Sequence, residues 1–141
     1  MYMSSLVQPE TKSTNTSQST SPAKILLADD EPEVAEVIEL MLLRCGYLVT
    51  VVNSGQEALD AFSSENYDLV ITDMYMPDLS GQEVARAVKG SMAGVPVLLI
   101  TGWALQIDPS EIDIDGMIAK PFSKETLFQH VTEVLNGKRK N

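Results

Sequence analysis

Four short apolar runs, each followed by a polar residue, dominate the hydrophobic pattern of this chain. The central run, residues 69–72, leads into Asp73, and the other three lead into Asp29, Thr101 and Lys120. Continuous apolar runs of this length, rich in β-branched residues, are typical of strands buried on both faces of a parallel sheet. The sequence therefore predicts four such strands, whose ends carry acids, a hydroxyl group and an amine.

Amphipathic stretches separate these runs and predict helices. The first helix begins at Pro32, and Gly46 suits the position that follows a helix. Ser54 and Ser80 each stand three residues before a glutamate, which is the spacing of a capping box at a helix start. The expected core faces are Val34, Val37, Ile38, Met41, Leu42 and Cys45 in the first helix, Ala58, Leu59 and Phe62 in the second, and Val84, Ala87 and Val88 in the third.

The rest of the chain adds one more strand, a weak segment and a last helix. Residues 47–52 form the second strand. Between Thr101 and Gly116 the periodicity weakens, and only a short or irregular helix is expected near Pro109. Ser123 caps the last helix, which Gly137 is expected to end. The core stripe of that helix is expected at Leu127, Val131, Val134 and Leu135.

Alternating strands and helices predict right-handed crossovers and one parallel sheet covered by helices on both faces. In such α/β sheets ligands bind at the carboxyl ends of the strands. Residues 1–22 are expected to be a flexible leader, because they are rich in Ser, Thr and Gln and hold few large apolar residues. Residues 138–141 are expected to be a basic tail.

Charge and composition restrict the partners. The formal net charge of −10 argues against nucleic-acid binding, which needs a basic stripe. No apolar run is long enough to span a bilayer, and the first residues lack the apolar core of a signal peptide. We therefore expect a cytoplasmic protein without membrane insertion. The single cysteine excludes an internal disulfide.

Taken together, the strand-end residues resemble the receiver domain of two-component response regulators. The resemblance covers residues 24–136 and rests on the acid pair Asp29 and Asp30, on Asp73 and Thr101, and on Lys120 directly before a proline. It implies a flavodoxin-like five-stranded parallel sheet in the order 2-1-3-4-5, with residues 23–137 as the receiver domain. It also implies a cis peptide before that proline.

The resemblance also implies the site chemistry. Asp73 would be the phosphoacceptor. Mg²⁺ would be held by Asp30, Asp73 and the backbone carbonyl of Tyr75, with Asp29 acting through water. The Thr101 hydroxyl and Lys120 would contact the phosphoryl oxygens.

Two features flank this expected site. Met117 stands where receivers usually carry an aromatic switch residue, so it is the candidate switch position. Tyr75 and Trp103 border the expected approach to the acceptor. For both rings, a role in shielding the phosphoryl group and a role as plain loop residues remain equally open.

The function expected from the resemblance is a phosphoacceptor signalling module. It would take a phosphoryl group from a sensor histidine kinase or a histidine phosphotransfer protein, and would signal to an unidentified protein partner by docking or relay. Apart from catalysing its own phosphorylation and dephosphorylation, it is expected not to be an enzyme.

Three alternatives stay open. The chain could be a receiver cut from, or working beside, a larger hybrid kinase. It could be a haloacid-dehalogenase-type phosphatase, although that class needs a second acid where Tyr75 stands. It could also be a degenerate receiver that binds partners without phosphorylation, although the complete set Asp30, Asp73, Thr101 and Lys120 argues against this.

Overall fold

Five strands and four α-helices alternate along the chain. The computed structural model describes residues 21–91, 93–102 and 106–140, with side chains described up to residue 137. The elements are β1 (Lys24–Ala28), α1 (Pro32–Arg44), β2 (Leu48–Val52), α2 (Gly55–Ser64), β3 (Leu69–Asp73), α3 (Gly81–Gly90), β4 (Val97–Thr101), β5 (Gly116–Ala119) and α4 (Lys124–Lys140).

The strands form one parallel sheet in the order β2-β1-β3-β4-β5. In this order β1 and β3 are direct neighbours, with Ala28 opposite Thr72. On the other side of β3, Asp73 lies opposite Ile100 of β4. The expected flavodoxin-like sheet is confirmed, and its register brings the carboxyl ends of β1, β3 and β4 to one edge.

Two apolar layers cover the sheet. Alternate strand residues point to opposite faces, so that Ile25 and Ile71 pack with α1 and α4, while Leu26 and Val70 pack with α2 and α3. All residues of β3 and β4 are buried. The central strands are therefore held from both sides, as their continuous apolar runs predict.

Local signals set the helix starts and one turn. Gly46 adopts φ of 93° two residues after the end of α1, a backbone conformation that glycine tolerates. Ser54 and Ser80 cap α2 and α3 by accepting hydrogen bonds from the backbone N–H groups of Glu57 and Glu83. The capping box is complete only at Ser80, because the Glu57 carboxylate accepts from the Asn53 N–H instead.

Two predicted core positions are wrong, because the buried faces of α1 and α3 are displaced around the helix axis toward Ala35 and Ala85. Val37 is 52% exposed, whereas Ala35, Ile38 and Leu42 are buried. At about 100° per residue, Val37 points more than a third of a turn from the centre of that stripe. By the same geometry Ala87 is exposed on α3.

The last helix is longer than predicted. Gly137 does not end α4, which runs to Lys140. A glycine in a helix costs only about 1 kcal/mol, and the lysines and arginine that follow it are good helix formers whose charge suits a helix C-terminus. The cap at Ser123 is confirmed, since its hydroxyl accepts from the Thr126 N–H.

Between β4 and β5 the described residues form only a short helical turn, as expected. It is a 3₁₀ turn, Pro109–Glu111, where the Asp108 carboxylate accepts from the Ser110 N–H. None of the helices in the described part of the chain is both long and apolar enough to cross a membrane. Residues 1–20 of the predicted leader, and Trp103, lie outside the described residues.

Gly81 links the fold to the end of β3. It is the first residue of α3, and its N–H donates to the Met74 carbonyl at 2.7 Å. A β-carbon there would collide with the main-chain carbonyl oxygen of Asp73 and would lie 2.8 Å from Leu99 Cδ1. Only glycine allows the chain to pass this close to the strand end.

We therefore expect Gly81→Ala to lower the free energy of unfolding by about 1–3 kcal/mol, because the helix start must move away from β3. Gly90→Ala, at the other end of the same helix, meets no atom within 4 Å and should be neutral or stabilising by up to about 1 kcal/mol. Denaturant unfolding of both variants checks this. An equal loss in both would contradict the steric explanation.

Candidate functional site

Three acids meet at the carboxyl edge of the sheet. Asp29 and Asp30 follow β1, and Asp73 ends β3, so the register of these neighbouring strands sets them side by side. One carboxylate oxygen from each of the three lies within 4.8 Å of the others. The prediction that the sheet brings these acids together is confirmed.

Burial makes this cluster electrostatically costly. Asp29 is 1% exposed and Asp73 is 8% exposed. Loss of water raises the pKa of both carboxyl groups above the ordinary aspartate value, and the positive charge of Lys120 opposes that rise. Asp29 raises the pKa of Asp73 further by like-charge repulsion. The site therefore has more negative charge than its own residues neutralise.

Within the part of the chain that the structure describes, Lys120 is the cation that reaches the cluster. Its Nζ lies 3.4 Å from Asp73 Oδ1 and 3.6 Å from Asp29 Oδ2. It also lies 3.8 Å from Glu31 Oε1, a contact that the sequence did not predict. The position follows from β5, which ends one residue earlier. The Lys120–Pro121 peptide is cis, as the resemblance implied.

Thr101 lies at the end of β4, beside both Asp73 and Lys120 in the sheet. Thr101 is fully buried, and its backbone carbonyl accepts a hydrogen bond from the Lys120 N–H at 2.9 Å. Because Ile100 is the register partner of Asp73, the Thr101 side chain belongs to the same strand edge. The four residues that the resemblance singles out, Asp30, Asp73, Thr101 and Lys120, thus come from four adjacent strand ends.

Hydrogen bonds hold the backbone around the acids. The Glu31 N–H donates to Asp29 Oδ1 at 2.9 Å, and the Asn53 side-chain amide donates to the Asp29 carbonyl at 3.1 Å. The Thr72 hydroxyl donates to the Asp73 carbonyl at 2.9 Å. Sequence reasoning missed Asn53, because nothing in its neighbourhood indicates a contact 24 positions away.

The remaining predicted site residues differ in placement. Tyr75 is 52% exposed and borders an open cavity of about 370 Å³, which Asp30, Asp73 and Lys120 also line. Met117 is half-buried within β5, where Leu99 is its register partner. Trp103 lies outside the described residues, so its predicted role stays a prediction.

The donor set fits a hard divalent cation. Mg²⁺ prefers oxygen ligands and keeps several waters. The three clustered carboxylates supply oxygens, and two of them, Asp30 and Asp73, line an open cavity. A cation would also relieve the repulsion that raises the pKa of Asp73. The arrangement can therefore hold Mg²⁺ beside a carboxylate that is able to act as a nucleophile.

Comparison with known proteins identifies this arrangement. The family described as "Response regulator receiver domain" matches residues 25–132. Response regulator ArlR of Staphylococcus haemolyticus is 35% identical over 114 residues, which cover 79% of this chain and 52% of ArlR. The chain spans about half the length of the curated relatives it matches.

Solved structures agree with the family match. The receiver domain of the sensor histidine kinase PA1611 from Pseudomonas aeruginosa PAO1, with a magnesium ion coordinated in its active-site cleft, has a TM-score of 0.76 and 30% identity, covering 82% of this chain and 98% of that chain. TrrA from Thermotoga maritima, in complex with Mg²⁺-BeF, has a TM-score of 0.74 and 34% identity, covering 79% of this chain and 98% of that chain.

The matched segment runs from β1 into α4 and so includes every acid, the hydroxyl and the lysine of the site. The chain belongs to the response regulator receiver domain family, whose members are phosphoacceptor modules of two-component signalling.

Proposed function

We propose that Asp73 accepts a phosphoryl group from the phosphohistidine of a sensor histidine kinase or of a histidine phosphotransfer protein, and that the phosphorylated chain then docks on a partner or passes the group on. The observation that carries this proposal is the Asp73 carboxylate, held 3.4 Å from Lys120 Nζ in a cluster with Asp29 and Asp30. The arrangement puts a nucleophile, the Asp73 carboxylate, next to a positive charge, the Lys120 ammonium.

In the transfer step a carboxylate oxygen of Asp73 forms a bond to phosphorus. The phosphorus–nitrogen bond of the donor breaks, and the imidazole nitrogen leaves with the electron pair and takes up a proton. Such a reaction depends on positioning and on charge neutralisation more than on covalent help. Lys120 neutralises charge on the transferred oxygens, and the Thr101 hydroxyl donates to one of them after moving out of its buried position.

We assign the Mg²⁺ ligands to Asp30, Asp73 and the backbone carbonyl of Tyr75, with Asp29 acting through a bound water. Asp29 suits this indirect role because one of its oxygens already accepts from the Glu31 N–H. Bound Mg²⁺ supplies positive charge that offsets the charge of the phosphoryl oxygens. The carboxylates would hold the ion in position, and Lys120 would neutralise a further part of the charge on the phosphoryl oxygens.

A surface groove beside the site favours a protein as the phosphodonor. It is lined by Val34, Val37 and Met41 of α1, by Phe122 after β5 and by Lys120. Val37 is more than half exposed there. A donor protein whose apolar surface packs in this groove would bring its phosphohistidine next to Asp73. A small phosphodonor has no such surface and gains no binding energy from the groove.

One of the alternatives is compatible with this chemistry. A receiver that works within or beside a hybrid kinase would use the same residues in the same roles. We expect the reaction to occur in the cytoplasm. A dehalogenase-type phosphatase is not favoured, because Tyr75 occupies the place of its second acid.

The direct test is phosphoryl uptake. Incubation with Mg²⁺ and a small phosphodonor should add one phosphoryl group to the parent, as read by intact mass, because Asp73 is the only nucleophile assigned. Asp73→Asn should gain none, while Asp60→Asn, an exposed acid on α2, should be labelled like the parent. Full labelling of Asp73→Asn would show that the acceptor is another residue.

A second prediction concerns stability without a cation. In EDTA the Asp73 carboxyl group binds more protons in the folded chain than in the unfolded chain between pH 3.8 and its raised pKa. The contribution of Asp73 to the free energy of unfolding should therefore fall as the pH rises through that window. Asp73→Asn carries no such charge, so at neutral pH it should unfold at a higher temperature than the parent.

Mg²⁺ should reverse the order of the two proteins. At about 100 times its dissociation constant, it should stabilise the parent by about 2.7 kcal/mol and Asp73→Asn much less. Asp60→Asn serves as the control and should follow the parent in both buffers. Thermal unfolding in EDTA and in Mg²⁺ measures all three proteins. A lower midpoint for Asp73→Asn in EDTA would mean that the Lys120 attraction outweighs burial.

A third prediction concerns the lifetime of the phosphoryl group. Hydrolysis needs a water in line with the bond to Asp73, and the Tyr75 ring borders the cavity through which it would come. We expect Tyr75→Ala to shorten the phosphoryl half-life and Tyr75→Phe to leave it unchanged, because the ring alone excludes water. Trp103→Ala is predicted to shorten it likewise. Unchanged half-lives in both alanine variants would make the two rings plain surface residues.

A further inference from the structure

The first turn of α2 is tied to both loops that carry the assigned cation ligands. The carboxylate of Asp78, in the loop after β3, accepts from the Gly55 N–H at 3.0 Å and from the Gln56 N–H at 2.8 Å. One residue before the cap of α2, the Asn53 amide donates to the backbone carbonyl of Asp29. The start of α2 therefore contacts two loops. One is the loop of residues 29–31 after β1, which carries the acid pair, and the other is the loop of residues 74–80 after β3, which we call the acceptor loop.

Close packing reinforces the hydrogen bonds to Asp78. Gly55 is buried, and a β-carbon there would lie 2.5 Å from Leu79 Cβ and 3.1 Å from the Leu79 carbonyl oxygen. The backbone of the acceptor loop thus rests directly on the helix start. Any side chain at position 55 would push the loop away from α2.

Asp78 is not the residue that the helix needs as its ordinary cap. Ser54 already fills that role by accepting from the Glu57 N–H. The N–H groups of Gly55 and Gln56 are two of the donors that every helix start leaves without a partner in the helix. Their hydrogen bonds hold the pKa of Asp78 below its usual range, so its carboxylate accepts both at neutral pH. The two hydrogen bonds join residues that are 23 and 22 positions apart in the sequence.

We propose that Asp78 is a positioning residue for the cation site: its carboxylate clamps the loop of residues 74–80 to the first turn of α2, and the clamp fixes the Tyr75 carbonyl relative to Asp30 and Asp73. Because Tyr75 is a ligand only by assignment, this inference rests on the proposed function. Asn53 holds the backbone of Asp29 to the same helix start, so both ligand loops take their position from one rigid element.

Thermodynamic linkage makes the clamp testable from both ends. If the clamp favours cation binding, cation binding favours the clamp by the same factor. Mg²⁺ should therefore slow hydrogen exchange at the backbone amides of Gly55 and Gln56 in the parent. In Asp78→Ala these amides should exchange faster, and Mg²⁺ should not slow them.

The experiment uses the full chain with Mg²⁺ alone and no phosphodonor. Asp78→Ala should weaken Mg²⁺ binding about tenfold, as loss of a residue that orients metal ligands typically does. Asp78→Asn keeps one acceptor oxygen and should bind with intermediate affinity. Gly55→Ala breaks the packing from the other side of the clamp and should also weaken binding. Calorimetric titration measures the affinities, and NMR measures the amide exchange.

Ser54→Ala is the matched control. It weakens the same helix start without touching Asp78, so it should lower the unfolding temperature but leave the affinity for Mg²⁺ unchanged. Affinity equal to the parent's in Asp78→Ala would overturn the inference. So would an equal loss in Ser54→Ala, because general loosening of α2 would then explain both.

The inference and the proposed function fail separately. A parent that binds Mg²⁺ through the clamp but gains no phosphoryl group rejects the function and supports the clamp. If the parent is phosphorylated on Asp73 but Asp78→Ala leaves the affinity for Mg²⁺ unchanged, only the clamp is rejected. A parent that binds no Mg²⁺ rejects both.

Discussion

Mutual repulsion among three carboxylates is the constraint on which this structure depends. Asp29, Asp30 and Asp73 are forced together because β1 and β3 are neighbours, and two of the three are almost without water. Lys120 offsets only part of that charge. The apolar layers on both faces of the sheet supply the stabilisation that holds the acids in place, so the fold maintains a site that is unfavourable without a cation.

The strand ends were predictable because of how the central strands are buried. A strand covered on both faces is apolar until the point where it leaves the core, and the first polar residue therefore marks the edge of the sheet. Asp29 follows this rule directly, whereas Asp73 comes after the buried polar Thr72 and is the first charged residue of its strand. Helix faces are harder to assign, since an apolar residue beside the buried stripe fits the same periodicity. For this reason the periodicity predicts Val37 and Ala87 as core residues, although both are exposed.

Contacts between loops had no comparable signal. Asp78 meets Gly55 and Gln56, and Asn53 meets Asp29, across separations of 22–24 positions. These bonds depend on the paths of two loops, which follow from strand order and not from local pattern. The family resemblance supplied the strand order but identifies residues only where motifs match. The residues that hold the ligand loops in place therefore emerged only from the three-dimensional arrangement.

Lys120 connects the chemistry to the surface that a partner would meet. Besides Asp73 and Asp29 it contacts Glu31, the exposed residue directly before α1, and it lines the groove that α1 forms with Phe122. A phosphoryl group on Asp73 would add negative charge at the shortest of these contacts, which would draw the ammonium inward and away from Glu31. We therefore expect the groove to change when the site is phosphorylated. A donor protein that fits the groove of the unphosphorylated chain would then bind the phosphorylated chain less tightly. The weaker binding favours release of the donor after transfer.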